Sequence, residues 1–176
     1  MDETLLEQLS RVVPQAVVGG GRAARPRPAG RRLDRPLSRG DLDLLARVPL
    51  FAGLSRRHLR RVAEHADLAL FRPGEHIVRE GQPGGTFYVV VEGEAVVRQR
   101  GRRIGRLRPG DFFGEISLLD GGPRTADVVA ETPVTTIRVF KRAFDRLLRE
   151  EPGVAAKILA VVAARLRLAE RRSPLG

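Results

Sequence analysis

The sequence has no cysteine and no tryptophan, one methionine and one tyrosine. Without cysteine there are no disulfides, no thiolate metal sites and no cysteine nucleophile. That composition fits a reducing, cytoplasmic setting. Aromatic residues make up 5% of the chain, too few for the stacking platforms that hold single-stranded nucleic acid. Lysine is nearly missing: Lys141 and Lys157 are the two present, and every other basic side chain among the 32 is arginine. No run of about 18 apolar residues occurs, so the reading contains no membrane-spanning helix. The N-terminus, MDETLLEQLS, starts acidic and lacks a basic region followed by a long apolar stretch, so it does not read as a secretory signal. There is no GxxxxGK[ST] and no G-x-S-x-G, so nucleotide triphosphate hydrolysis and serine hydrolysis lack their motifs.

What is present supports a folded core. Hydrophobic residues are 42% and charged residues 30% of 176, which excludes global disorder and suits one domain, with or without a tail. Basic residues outnumber acidic ones, 32 to 21, for a formal charge of +11. Such an excess can serve an anionic partner. Here the arginines are scattered along the chain and read as a solvated surface.

Residues 1–40 differ from the rest. Leu5, Leu6, Leu9, Val12 and Val13 lie at helical spacing behind Asp2 and Glu3, and Pro14 with Gly19, Gly20 and Gly21 ends that short helix. From Arg22 to Gly40 the text is arginine, proline, alanine and glycine and reads as a flexible linker. Residues 41–172 form the domain, and 173–176 a tail. Asp41 to Val48 reads as a short helix. Ser55 is an N-cap, followed by an apolar stripe at Leu59, Val62, Ala63 and Ala66. From Leu68 to Val139 short runs rich in valine, isoleucine and phenylalanine alternate with glycine and proline turns. That is the pattern of an all-β sandwich or barrel. The helical period returns with Phe144, Leu147 and Leu148, breaks at Glu151-Pro152-Gly153, and resumes in a final helix carrying Val154, Ile158, Val161, Val162, Leu166 and Ala169.

The segment from Phe112 to Ala130, FFGEISLLDGGPRTADVVA, carries the chemistry. Glu115 to Leu119 can form one helical turn whose first amides have no partner and face an anion well. Gly114 lets the anion approach the backbone. Arg124, beyond the Gly121-Gly122-Pro123 break, offers a guanidinium fork to phosphate oxygens. Glu115 repels phosphate but accepts a hydrogen bond from a sugar hydroxyl. A phosphate and a sugar hydroxyl held over one small loop describe a nucleotide. The bland alternative is a surface salt bridge between Glu115 and Arg124.

This segment resembles the phosphate-binding cassette of the cyclic-nucleotide-binding domain family, of the catabolite activator protein and cyclic-AMP-dependent kinase regulatory subunit type. The matching residues are Phe113-Gly114-Glu115-Ile116-Ser117-Leu118, a gap, then Arg124-Thr125-Ala126. A second family pattern lies upstream in Ile77-Val78, Gly81-Gln82, Gly84, Phe87 to Val90 and Gly93. Together the two are highly specific, and the resemblance runs from about Val48 to Arg172. It implies a mainly β fold with flanking α-helices: an eight-stranded jelly-roll (double-stranded β-helix) barrel with N-terminal helices and two C-terminal helices. It implies that Arg124 pairs with a cyclic phosphate, assisted by Thr125 and the amides of Gly114, Glu115, Ile116, Ser117 and Ala126. Glu115 would hold the ribose 2′-hydroxyl. The last helix would cap the base, with Arg165, Leu166 and Ala169 as candidates.

The expected function is that of a sensor of a cyclic purine mononucleotide, cyclic AMP favoured over cyclic GMP, coupling occupancy to movement of the C-terminal helices. It is not an enzyme and needs no cofactor beyond the ligand. Two alternatives stay open: a ligand-free interaction domain of the same fold, and a fragment of a larger regulator. With Ser173 to Gly176 after the last helix, no helix-turn-helix fits, so direct DNA binding is not expected. A protein partner is implied but not named. Homodimerisation through the last helix is open, although Arg165 interrupts its apolar stripe. His58, His65 and His76 are scattered and read as surface residues, not metal ligands.

Overall fold

In a computed structural model the described residues are 30–51 and 53–172, apart from the side chains of 161, 162, 164–166 and 168–172. The expected N-terminal helix, the Gly19–Gly21 stop and the tail at 173–176 lie outside them.

Nine strands form two antiparallel sheets among the described residues. They are β1 (Arg31–Leu33), β2 (Ala66–Phe71), β3 (His76–Val78), β4 (Thr86–Glu92), β5 (Ala95–Gln99), β6 (Arg102–Leu107), β7 (Phe112–Phe113), β8 (Asp127–Ala130) and β9 (Val134–Phe140). The larger sheet runs β1-β2-β9-β4-β7 and the smaller β3-β8-β5-β6. This is the double-sheet form of a jelly roll. It has nine strands where the resemblance implied eight, and the nine include β1, in the stretch read as linker. Arg31 to Leu33 pair with Leu70 to Leu68, and Leu33 and Leu37 pack against buried core residues. Gly30 lies close against the Phe71 ring, where a Cβ would come within 2.6 Å of Cε1. A few apolar contacts thus order the end of an otherwise polar segment.

The helices begin where capping chemistry allows. Helix α1 (Arg39–Arg47) starts two residues before the expected Asp41, because Ser38 and Asp41 form a reciprocal capping box. Helix α2 (Arg56–Ala63) starts after Ser55, whose hydroxyl accepts from the His58 amide at 3.2 Å, as expected. Helix α3 (Glu115–Asp120) is the turn inside the cassette. Helices α4 (Lys141–Glu150) and α5 (Pro152–Arg172) follow the sheets. Pro152 opens α5, a position that needs no amide donor, so the helix begins two residues before Val154.

Strand alternation sends neighbouring residues to two cores. Phe87 and Val89 of β4 and Ile137 and Val139 of β9 face the helices. There they meet Leu45, Phe51, Leu59, Val62, Leu118, Phe144, Leu147, Val154 and Ile158. Tyr88 and Val90 face the other way and pack between the sheets with Phe71, Ile77, Val78, Ala95, Val128 and Val134. Phe51 stands edge-on to both Phe87 and Phe144. The buried Arg138 guanidinium of β9 grips the half-buried Asp67 carboxylate of β2 at 2.6 and 2.8 Å. No helix among the described residues is long and apolar enough to cross a membrane.

Candidate functional site

The cassette occupies the turn between β7 and β8. Gly114 (φ 85°) and Gly121 (φ 72°) bound α3 in the left-handed region that glycine adopts freely. The first bond along α3 runs from the Leu118 amide to the Gly114 carbonyl at 3.0 Å. The amides of Ile116 and Ser117 therefore belong to the first turn, ahead of that bond. Asp120 closes the far end by accepting from the Gly122 amide at 2.7 Å. That is a turn-forming role.

The return loop is stitched to the loop before β4. The Arg124 amide donates to the Gln82 carbonyl and the Gly81 amide to the Arg124 carbonyl, both at 2.8 Å. The Gly84 amide donates to the Gly122 carbonyl at 3.1 Å. A Cβ at Gly84 would collide with Ser117 and with that same carbonyl, so the two loops touch only because this residue is glycine. The upstream motif and the cassette are thus one structure. Arg124 lies in this loop, three residues before β8.

Between the sheets and the cassette lies a cavity of about 230 Å³. Its lining includes Gly114, Glu115, Ile116, Ser117, Arg124, Thr125 and Ala126, the seven cassette residues singled out from sequence, together with Val78, Val97, Phe112, Phe113 and Val128. One wall is therefore polar backbone and the other apolar strand side chains, the make-up of a small-ligand site. The base-capping candidates Arg165, Leu166 and Ala169 belong to α5, but their side chains lie outside the described residues.

Arg124 is buried, 8% exposed. Its Nη2 donates to the Thr86 carbonyl at 2.8 Å, and its Cζ stands 5.6 Å from the centre of the Tyr88 ring. Tyr88 is itself stacked on Phe113, with centroids 4.8 Å apart. Nη1 is buried with no hydrogen-bond partner among the described residues. A Cβ at residue 114 would come within 2.6 Å of that atom, so Gly114 gives the guanidinium its space. Burial lowers the Arg124 pKa below the usual arginine value, with the Tyr88 hydroxyl opposing the shift. Burial likewise raises the Tyr88 pKa, while Arg124 and Arg138 pull it back. No ion pair joins this buried cation to a carboxylate among the described residues, an arrangement chemically suited to an anion. Thr125 is exposed at the rim, where its carbonyl accepts from Gln99 Nε2 at 3.1 Å.

The sequence reading assigned to the site neither the apolar lining residues Val78, Val97, Phe112, Phe113 and Val128 nor three residues that contact Arg124 or Thr125: Thr86, Tyr88 and Gln99. Thr86 and Tyr88 lie two apart on β4, one strand face, and Tyr88 is the lone tyrosine of the chain. Neither signal by itself tells which arginine a strand residue will meet.

Comparison with known proteins agrees with this geometry. The family model for the cyclic nucleotide-binding domain matches residues 69–151. The chain is 34% identical over 112 residues to the cAMP-dependent protein kinase regulatory subunit of Hypocrea atroviridis, covering 64% of this chain and 24% of that protein. It thus spans about a quarter of that relative's length. The N-terminal domain of a transcriptional regulator from Streptomyces coelicolor A3(2) superposes with a TM-score of 0.69 at 32% identity, over 76% of this chain and 99% of that one. The catabolite activator protein of Thermus thermophilus superposes with a TM-score of 0.60 at 32% identity, over 70% and 61%. The motif residues, the sheet order and the family match coincide on the same stretch of chain, and the protein belongs to the cyclic nucleotide-binding domain family.

Proposed function

We propose that this protein is a regulatory module that binds a cyclic purine mononucleotide, cyclic AMP in preference to cyclic GMP, and converts occupancy into movement of α4 and α5. The observation that carries the reading is the buried Arg124 guanidinium, with Nη1 unmatched by any described residue, at the wall of the cavity beneath the cassette. A cyclic phosphate there would take the fork of Arg124 and the amides heading α3. Glu115 would accept from the ribose hydroxyl, and Val78, Val97 and Val128 would meet the apolar face of the nucleoside. The preference for cyclic AMP is supported by the relative named for dependence on it. Movement of the helices follows if ligand favours one position of α3, since only differential affinity between two states can shift their balance. The related regulatory subunit is not named as a catalyst, and a binding role without turnover fits.

Calorimetry with each cyclic nucleotide tests this. Arg124→Ala should cost on the order of 2–5 kcal/mol of affinity, because it removes the partner of a desolvated phosphate. Glu115→Ala should cost less, about 1–3 kcal/mol. Unchanged affinity in Arg124→Ala would refute the assignment. Ligand at about 100 times its dissociation constant should add roughly 2.7 kcal/mol of stability in a thermal melt.

A further inference from the structure

Lys141 opens α4, and three acceptors stand around its ammonium. They are the carbonyls of Leu118 at 3.1 Å and Leu119 at 3.3 Å and Asp145 Oδ1 at 3.0 Å. An ammonium has three donors, and here each has an acceptor. Two of the acceptors are last-turn carbonyls of α3, which a helix cannot satisfy within itself. The neighbouring Ser117 carbonyl is already taken by the Gly121 amide at 3.0 Å. The third acceptor lies one turn along α4. The Lys141 amide also donates to the Gly85 carbonyl at 2.8 Å, which fixes the start of α4 against the loop before β4. A Cβ at residue 121 would come within 3.3 Å of Lys141 Cε, so the side chain passes close over the C-terminal end of α3.

The residue type adds to the geometry. Basic positions in this chain are arginine nearly everywhere, and Lys141 is one of two exceptions. A guanidinium is planar and presents its donors as a fork. It cannot direct three donors to acceptors spread around one tetrahedral nitrogen. The ligand side of α3 lies at its other end, where Gly114 to Ser117 line the cavity. A six-residue helix is short enough to move as one body. A pull at its N-terminal end is therefore felt at Leu118 and Leu119, and so at Lys141.

We propose that Lys141 is a positioning residue that fastens the cassette helix to α4, so that a ligand-driven displacement of α3 is handed to the C-terminal helices through this one side chain. The proposal rests on the reading of the cassette as the ligand site.

Two measurements on the full chain test it. The first needs no ligand and no variant: acetylation by an N-hydroxysuccinimide ester, followed site by site by mass spectrometry. The comparison is with Lys157, which is exposed and donates to the Gly53 carbonyl. Lys141 has two more acceptors than Lys157 and should react at least about tenfold more slowly, since the net worth of such bonds is about 1.5 kcal/mol or more. Equal rates would overturn the clamp. The second is amide hydrogen exchange with and without saturating cyclic AMP in the natural chain, Lys141→Met and Lys141→Arg. The natural chain should respond at both 115–120 and 141–150. Both variants should keep affinity within about tenfold and keep the response at 115–120, yet lose most of that at 141–150. A merely structural lysine would lower stability and leave the response at 141–150 intact, and that result would overturn the proposal. If the natural chain binds neither cyclic nucleotide, the functional reading falls alone, and the acetylation ratio still decides the clamp.

Discussion

Arg124 shows how little of a residue's role is written in its own side chain. Removed from water, a guanidinium costs free energy unless its donors and charge are matched. Thr86 and Tyr88 meet part of that demand, and Nη1 is left over. Arg124→Met should therefore leave the ligand-free protein at least as stable as the natural chain, while abolishing the rise in melting temperature on adding cyclic AMP. A clear loss of ligand-free stability would mean that the arginine is structural. Gly114 makes the complementary case. Its φ of 85° disfavours any side chain, and a Cβ would press on Arg124 Nη1 and on the Thr86 carbonyl at 2.6 and 2.8 Å. Gly114→Ala should cost about 1–3 kcal/mol of stability from backbone strain alone. It should weaken ligand binding as well, because the displaced atom is the one assigned to phosphate. Chemical denaturation and calorimetry on the same sample separate the two effects.

At the scale of the element, helix starts are where charge is decisive. Asp41 is buried in the first turn of α1. It accepts from the Ser38 amide at 2.7 Å and from Arg35 Nη1 at 2.8 Å. Burial acts to raise its pKa, but the hydrogen bonds from Arg35 and Ser38 outweigh it, and the net value lies below the ordinary 3.8. The folded form thus holds the proton less tightly than the unfolded chain. The resulting stabilisation is complete above the ordinary value and is lost as pH falls through the lowered one. Asp41→Asn should destabilise the protein near neutral pH and flatten the acid limb of its stability curve below about pH 4. Melting temperatures from pH 7 down to 2 on both proteins check this, and parallel acid limbs would contradict it. The start of α1 was misplaced by two residues in the sequence reading for the same reason. A serine three residues before an aspartate signals a capping box only when the aspartate carboxylate turns back. Strand β1 was missed because three residues with one leucine carry no period of their own, and Leu68 to Leu70 supply its register.

On the scale of the whole molecule, β4 and β9 tie two cores together. Their alternate residues fill the space under the helices and the space between the sheets, so neither core can open without the other. Phe87→Ala, on the helical side, should cost about 3–5 kcal/mol. It should shift one cooperative transition and not split it in two. Calorimetric and circular dichroism melts that separate would show the cores to be independent. The same two strands carry Thr86 and Tyr88, which meet Arg124, and Arg138, which grips Asp67 of β2, so the cassette is joined to both cores through them.

The sequence by itself determined the class of fold, the run of strands between helices and the stretch of chain that forms the cassette turn. These depend on local signals: a period of two with glycine and proline turns, a period near four in the helices, and a spaced motif whose glycines and arginine have few substitutes. All seven cassette residues named from it line one cavity. The tertiary structure alone decided which partners those residues meet. Thr86 and Tyr88 lie 38 and 36 positions before Arg124, and Lys141 lies 23 after Leu118. Contacts across such distances arise from strand register and helix packing, which many residues fix jointly and no single stretch of chain encodes.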